Sequence, residues 1–328
     1  MNPMFSRILK ALCALVAVAM LSACGGASST VDPFVATRVI AFGDGFNYVD
    51  ANGAGLSTVQ TGETDITIAG RVAARYGIVV KDVTTGPVLS AAGGFSYASA
   101  SAKVSDVATQ INTFLNSAGG VVAKKDLIII AVGNWDIKAA IASGTPTADI
   151  DTATTNLVTA IQRLTNAGAE HVVIIPPTNI SRTPWATTYI AANPSVTRAA
   201  IQNLSNSAST SYNFTLLAKL QAAYRQDRNP VVVLDRTTDF NSFAGSVDVT
   251  GTAVVNYSGI SLTNLSTAVC TTASPAAGCT TAVGAGGLIN SSDYLTSVFA
   301  DEINLTPVMN RYLADRIIYS MVSFGWAP

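Results

Sequence analysis

Apolar runs and helix-spaced apolar positions alternate along most of the chain. Arg38–Gly43 is a short apolar run that ends on Gly43-Asp44-Gly45, the pattern of a strand delivered into a tight turn. Asp126–Val132 is continuously apolar, as suits a strand buried on both faces, and it empties into Gly133-Asn134-Trp135-Asp136. Glu170–Ile175, running into Pro176-Pro177, and Pro230–Asp235 read as two more strands. Between them the apolar residues fall at helical spacing. Asp65–Tyr76 uses Ile66, Ala69, Val72 and Ala73 and stops at Gly77. A second helix, capped by Ser105, runs to about Leu115 with Val107, Ile111 and Phe114 on one face. Asp151–Asn166, Ser195–Arg225 and a last segment through Tyr312 and Ile317 complete the set. Strands and helices in this rhythm predict an α/β fold, a three-layer αβα sandwich around a central parallel sheet, over residues 36–325. Thr237–Asn290 departs from the rhythm, and residues 245–290 read as a Gly/Ser/Thr/Asn-rich excursion over the sheet's rim. Ligands of open α/β sheets bind where strands end at their carboxyl termini, so the loops after Phe42 and Val132 are the ones to watch.

The first residues carry a different pattern. Arg7 and Lys10 precede the uncharged apolar stretch Ala11–Met20, so residues 1–23 are expected to be a secretory signal, too short for a lasting membrane span. Leu21-Ser22-Ala23-Cys24 resembles a bacterial lipobox, which implies lipid attachment at Cys24 and a tether over residues 24–35. By the same resemblance, Gly25 after that cysteine favours the outer membrane over inner-membrane retention. The expected partner is then a membrane, reached through the lipid, in the bacterial cell envelope.

Charge changes little. The chain has 19 basic and 20 acidic residues, and removing Arg7 and Lys10 leaves 17 − 20 = −3, no electrostatic footprint for nucleic acid. With Cys13 and Cys24 in the signal and lipobox, Cys270 and Cys279 remain, and export makes a small-loop disulfide the economical reading. No second cysteine pair or nearby histidine suits a zinc site.

Four blocks in order resemble the GDSL (SGNH) ester-hydrolase family. Phe42-Gly43-Asp44-Gly45-Phe46 matches a block that reads Phe-Gly-Asp-Ser-Leu, with Gly45 at the position of the nucleophilic serine. Ala91–Lys103 resembles the second block, whose oxyanion-binding glycine falls at Ala100 or Ser101. Gly133-Asn134-Trp135-Asp136 resembles Gly-x-Asn-Asp, with Trp135 in the place of the asparagine donor and Asn134 one position early. Phe299–Pro307 resembles the Asp-x-x-His block, with Asp301 present and Asn304 at the histidine position. The resemblance implies the fold, and it also implies that no catalytic set is intact at Gly45, Ala100, Ser101, Asn134, Trp135, Asp301 and Asn304. A hydrogen cannot attack a carbonyl, and an amide has no useful proton affinity. The chain's single histidine, His171, stands at the amino end of a strand, away from the motif loops, where it reads as an exposed strand-end residue.

These residues imply a binding or structural protein with a small-molecule, acyl or carbohydrate ligand at the old crevice. Asp44, Phe46, Tyr48, Trp135 and Asp136 are the candidate ligand contacts, the aromatic ones as a floor for a sugar or acyl chain. The alternative is an ester hydrolase with a rearranged site, for which Ser96, Ser99 or Ser101 with Lys103 would supply a Ser–Lys arrangement. Asp44, Asp50, Asp136 and Asp301 could gather around a cation, but two of them are accounted for as family scaffold, so no metal or other cofactor is expected.

Overall fold

The computed structural model describes residues 34–60, 63, 66–83, 92–224, 232–234, 255–271, 278–290 and 294–327. The signal, Cys24 and most of the tether lie outside them, as does much of the excursion.

The central sheet contains β1 (Arg38–Gly43), β2 (Val80–Asp82), β3 (Gly93–Ser96), β4 (Asp126–Ala131), β5 (Val172–Ile175) and β6 (Val232–Leu234). All pairs are parallel and the spatial order is β2-β3-β1-β4-β5-β6. Every residue of β1, β4 and β5 is buried, as continuous apolar runs require when helices cover both faces. The chain first winds from β1 outward to β2 and back through β3. It then crosses β1 to build β4, β5 and β6, so the winding reverses between β1 and β4. A crevice at a parallel sheet's carboxyl end forms at such a reversal.

The helices are α1 (Ile68–Ala74), α2 (Val104–Ser117), α3 (Asn134–Ser143), α4 (Pro146–Asn166), α5 (Pro184–Ala192), α6 (Arg198–Gln202), α7 (Tyr212–Ala223) and α8 (Pro307–Ser323). Two differences from the sequence reading have local causes. Ser105 does not cap α2: the helix starts one residue earlier, where the Asp106 carboxylate accepts the Lys103 N–H at 2.8 Å and Asp136 accepts the Val104 N–H at 3.2 Å. The single helix expected over 195–225 is broken into α6, a π turn at Asn203–Ser207, and α7. Ser211 opens α7 by accepting the Phe214 N–H, so the Ser/Asn/Thr-rich stretch before it offers the backbone alternatives to a helix.

At the amino end of the sheet the Arg38 guanidinium grips Asp126 across β1 and β4, with Nε–Oδ1 at 2.8 Å and both residues buried. His171 sits at this end too. Contrary to the exposed strand-end residue expected, it is half-buried, stacked on Phe34 at 3.7 Å between ring centres and edge-on to Trp326 at 5.0 Å. Aromatic burial pushes its imidazole pKa down from the ordinary value.

The described part of the excursion is short-stranded. A hairpin pairs Val255–Tyr257 with Ile260–Leu262, Asn264–Ala268 runs parallel to Ser297–Phe299, and Cys279–Thr280 pairs with Thr58–Val59. A Cys270–Cys279 disulfide ties it, within a small apolar cluster of Val269, Leu288 and Ala300. Among the described residues, no helix is long and apolar enough to cross a membrane.

Candidate functional site

The loop after β1 is held by the strand beside it. Gly43 has φ +117°, and a β-carbon there would lie 1.8 Å from the Ala131 carbonyl oxygen of β4, so glycine is required. The Gln110 amide clasps this residue from α2, accepting its N–H at 2.7 Å and donating to its carbonyl at 3.1 Å. The chain then turns: Asp44 accepts the Phe46 N–H on its side chain and the Asn47 N–H on its carbonyl. Asn47 ties the turn back by donating to the Phe42 carbonyl at 2.9 Å.

The other motif loops arrive at this turn. Ser99 N–H donates to the Gly43 carbonyl at 3.0 Å, bringing in the segment after β3. Gly133 leads into α3 at φ +131°, where a β-carbon would meet the Tyr212 ring at 2.7 Å and Pro177 at 2.9 Å. Asn134 is thereby carried under the turn, its amide donating to Asp44 Oδ2 and its carbonyl oxygen accepting from Thr178, both at 3.4 Å. From the far end of the chain, Asp301 Oδ1 accepts the N–H groups of Ile303 and Asn304 at 2.8 and 2.7 Å. Its Oδ2 accepts the Asn304 side-chain amide at 2.8 Å.

That last bond fixes which way Asn304 points. A carboxylate only accepts, so the NH₂ must face Asp301 and the carbonyl oxygen must face away. It faces Gly45: a β-carbon on Gly45 would lie 2.2 Å from Asn304 Oδ1 and 2.8 Å from Leu56 Cδ1. Asp44, Leu56, Asp301 and Asn304 are each at most 2% exposed, so the ground between the motif loops is filled with protein. Leu56 is backed in turn by the excursion, through the Gly278 N–H to Gly55 carbonyl bond and the Cys279–Thr58 pairing.

Burial dominates the electrostatics. It pushes the Asp44 carboxyl up to about 7, against the lowering effect of the Phe46 N–H and the Asn134 amide, and the nearby Asp136 charge adds to the rise. Asp136 rises to about 6, again chiefly by burial, although the Val104 N–H and Lys103 oppose it. Tyr212 lies fully buried close to both carboxyls; its hydroxyl has no hydrogen-bond partner among the described residues, and burial pushes its phenol well above the ordinary value.

The residues picked from sequence thus divide. Gly45, Asn134, Asp301, Asn304 and Asp44 come together. Phe46 is buried in the main core, while Tyr48 is partly exposed, its phenol raised chiefly by partial burial and then by the charges of Asp50 and Asp82. Asp136 is spent at the start of α2. Trp135 lies over Lys138, with Nζ 4.0 Å from the ring centre. Lys138 also stands 5.1 Å from the Trp185 ring and pairs with Glu302 at 2.8 Å, closing a clamp between α3, α5 and the Asp301 loop. Ala100 and Ser101 form a turn at the surface. Ser96 is buried with its hydroxyl donating to the Asn47 carbonyl at 2.7 Å, and Lys103 is exposed. Among the described residues no group of His, Cys, Asp or Glu side chains could hold a metal ion. Sequence reasoning missed Leu56, Thr178, Tyr212, Lys138, Trp185 and Glu302. Only Glu302, next to Asp301 in a motif block, carried any signal.

The profile of the GDSL-like Lipase/Acylhydrolase family matches residues 39–317 of this chain. Among solved structures, the crystal structure of a member of the lipolytic protein G-D-S-L family from Veillonella parvula DSM 2008 is similar. Identity is 15%, the match covers 87% of this chain and 98% of that one, and the TM-score is 0.41. No curated protein matches the chain.

Proposed function

The chain belongs to the GDSL-like lipase/acylhydrolase family, and from that premise we propose that it is a lipid-anchored cell-envelope protein that uses the family fold in a binding or structural role, without serine-esterase chemistry. The observation that carries the reading is the contact between Gly45 and Asn304. At the motif position of the nucleophile there is no side chain, and the space a serine β-carbon needs is taken by an amide oxygen 2.2 Å away. At the motif position of the base stands that same amide, locked to Asp301. His171, the only histidine in the chain, packs against Phe34 at the other end of the strands. The filled interior favours a structural role, or a ligand held at the rim, over a ligand bound among the motif residues. The clamp of Trp135, Lys138, Trp185 and Glu302 is the part of that rim with aromatic faces. The rearranged hydrolase draws no support from Ser96, whose hydroxyl proton is committed to a backbone carbonyl.

The test uses the mature protein purified from envelope. A fluorophosphonate probe should label no serine, and activated short-chain esters should turn over at background rate. Removal of a triad serine or histidine from serine hydrolases lowers turnover by about 10⁶, and here both positions lack the group. The Gly45→Ser, Asn304→His double variant, which restores nucleophile and base beside Asp301, should show weak hydrolysis. Esterase activity in the unmodified protein that is lost in Ser96→Ala, Ser99→Ala or Ser101→Ala would overturn the proposal in favour of the rearranged hydrolase. The anchor is tested separately: mass spectrometry should find a diacylglyceryl group on an amino-terminal Cys24, and a mature protein starting elsewhere would refute it.

A further inference from the structure

The end of the molecule remote from the motif loops has its own chemistry. In a parallel sheet the strands start, and the packed helices end, on one side. Phe34 lies there, its N–H bonded to the Gly325 carbonyl just past α8 and its ring edge-on to Tyr76 just past α1. Of the nine exposed large apolar side chains among the described residues, five are at this end: Val35, Val79, Val121, Tyr319 and Val322. Tyr319 is 80% exposed and Val121 64%. Tyr319 and Val322 flank an open groove of about 500 Å³ between α1 and α8, whose other wall is Arg71 and Arg75.

Charge is distributed unevenly in the same sense. Arg71, Arg75, Lys124, Lys125, Arg163 and Arg316 lie at this end, against the carboxylates of Glu170 and Asp315, which pair with Lys124 and Arg71, a balance of 6 − 2 = +4 among the described residues. Lys81 and Asp82 in β2 cancel. Arg38 and Asp126 also cancel, as a buried pair. The described residues carry 14 basic and 13 acidic side chains, 14 − 13 = +1, so those away from this face sum to 1 − 4 = −3: they are acidic and this face is basic. Apolar side chains interspersed with Lys and Arg, with a tyrosine at the edge, form a surface that fits the interface of an anionic bilayer.

We infer that this face, the amino end of the sheet with the carboxyl ends of α1 and α8, docks on anionic phospholipid, so that the motif loops point away from the membrane. The inference rests on the lipid anchor proposed above. Nine residues lie between Cys24 and Phe34, and the ten chain steps from one to the other span at most about 35 Å however they are arranged. A lipid at Cys24 therefore confines the domain close to the bilayer, and the face beside Phe34 is the one presented first. Close confinement turns a weak surface attraction into a populated orientation, because the second contact is intramolecular.

The experiment places one thiol-linked, environment-sensitive fluorophore on the mature, lipidated protein at Tyr319→Cys, Val121→Cys or Asn52→Cys. Asn52 is exposed in the turn after β1, at the opposite end. The proteins are reconstituted on vesicles of phosphatidylcholine, with or without phosphatidylglycerol, and quenched with brominated lipid. Quenching at Tyr319 and Val121 but not at Asn52, present only with phosphatidylglycerol, is the expected result. Lys124→Glu with Lys125→Glu should lower the docked fraction about tenfold, since each basic side chain near an anionic surface contributes separately. Equal quenching at all three positions, or quenching indifferent to phosphatidylglycerol or to the lysine reversals, would overturn the inference. Flotation with vesicles separates the two claims. Protein that floats without the quenching asymmetry keeps the anchor and loses the docking face, and protein that does not float loses both.

Discussion

Asp44→Asn offers a direct measurement of what the buried site costs the fold. The wild-type carboxyl titrates near its ordinary 3.8 when unfolded and near 7 when folded, because burial disfavours its charge. A pKa raised by folding means that the unfolded state releases the proton first. Stability from this group is therefore intact below about pH 4, and it is lost as pH rises through about 7. At ~1.4 kcal/mol per tenfold change in proton affinity, the full loss comes to about 4 kcal/mol. Asparagine removes the ionisation. Its carbonyl oxygen can keep the Phe46 N–H, but its NH₂ faces the Asn134 amide, which must turn over and then donate to the Thr178 hydroxyl instead of accepting from it. The variant should thus be no more stable than wild type in acid and more stable in base. In urea melts at about pH 5 and about pH 8.5, the difference between variant and wild type should move in the variant's favour by about 2–3 kcal/mol, the part of the linkage that falls in that interval. Asp136, raised to about 6, lowers stability over an overlapping range in both proteins and largely drops out of the difference. Stability curves for variant and wild type that run parallel across this range would refute a buried, high-pKa Asp44.

Two other predictions concern the walls of the site. Gly45→Ser alone should destabilise by about 1–3 kcal/mol through overpacking against Asn304 and Leu56. Asn304→Ala in the same chain should recover most of that loss in a denaturation double-mutant cycle, and additive costs would mean the two residues do not touch. Cys270→Ser should cost about 2–3 kcal/mol at most, as suits a short closed loop, and should raise hydrogen exchange at Thr58–Val59 and Cys279–Thr280 while leaving β1, β4 and β5 protected. Unchanged exchange at Thr58–Val59 would show that the excursion does not brace the Leu56 wall.

The layered architecture was legible from the apolar pattern alone. Continuously apolar runs such as 127–131, bounded by turn signals, suit strands covered on both faces, and they set the central sheet without any tertiary knowledge. The resemblance of the motif blocks to the family, read in order, named Gly45, Asn134, Asp301 and Asn304. The cysteine pair was legible by elimination, given the export expected from the first residues, and the structure joins it. Local pattern failed at the short strand 80–82 on the sheet's edge and at its inner neighbour 93–96, whose few residues, two of them glycine, carry no apolar period, and at the break between α6 and α7. Only the tertiary structure decided what surrounds the motif positions. Asn304 reaches Gly45 across more than 250 residues of chain, Leu56 seals them from a loop with no motif, and Tyr212 arrives from a helix whose sequence gives no sign of it. Trp135 and Asp136, adjacent in sequence to Asn134, are turned elsewhere because a helix sends consecutive side chains about 100° apart. Periodicity fixes which face a residue occupies within its own element. What stands opposite that face depends on contacts between distant segments, and those are set by packing rather than by neighbouring residues.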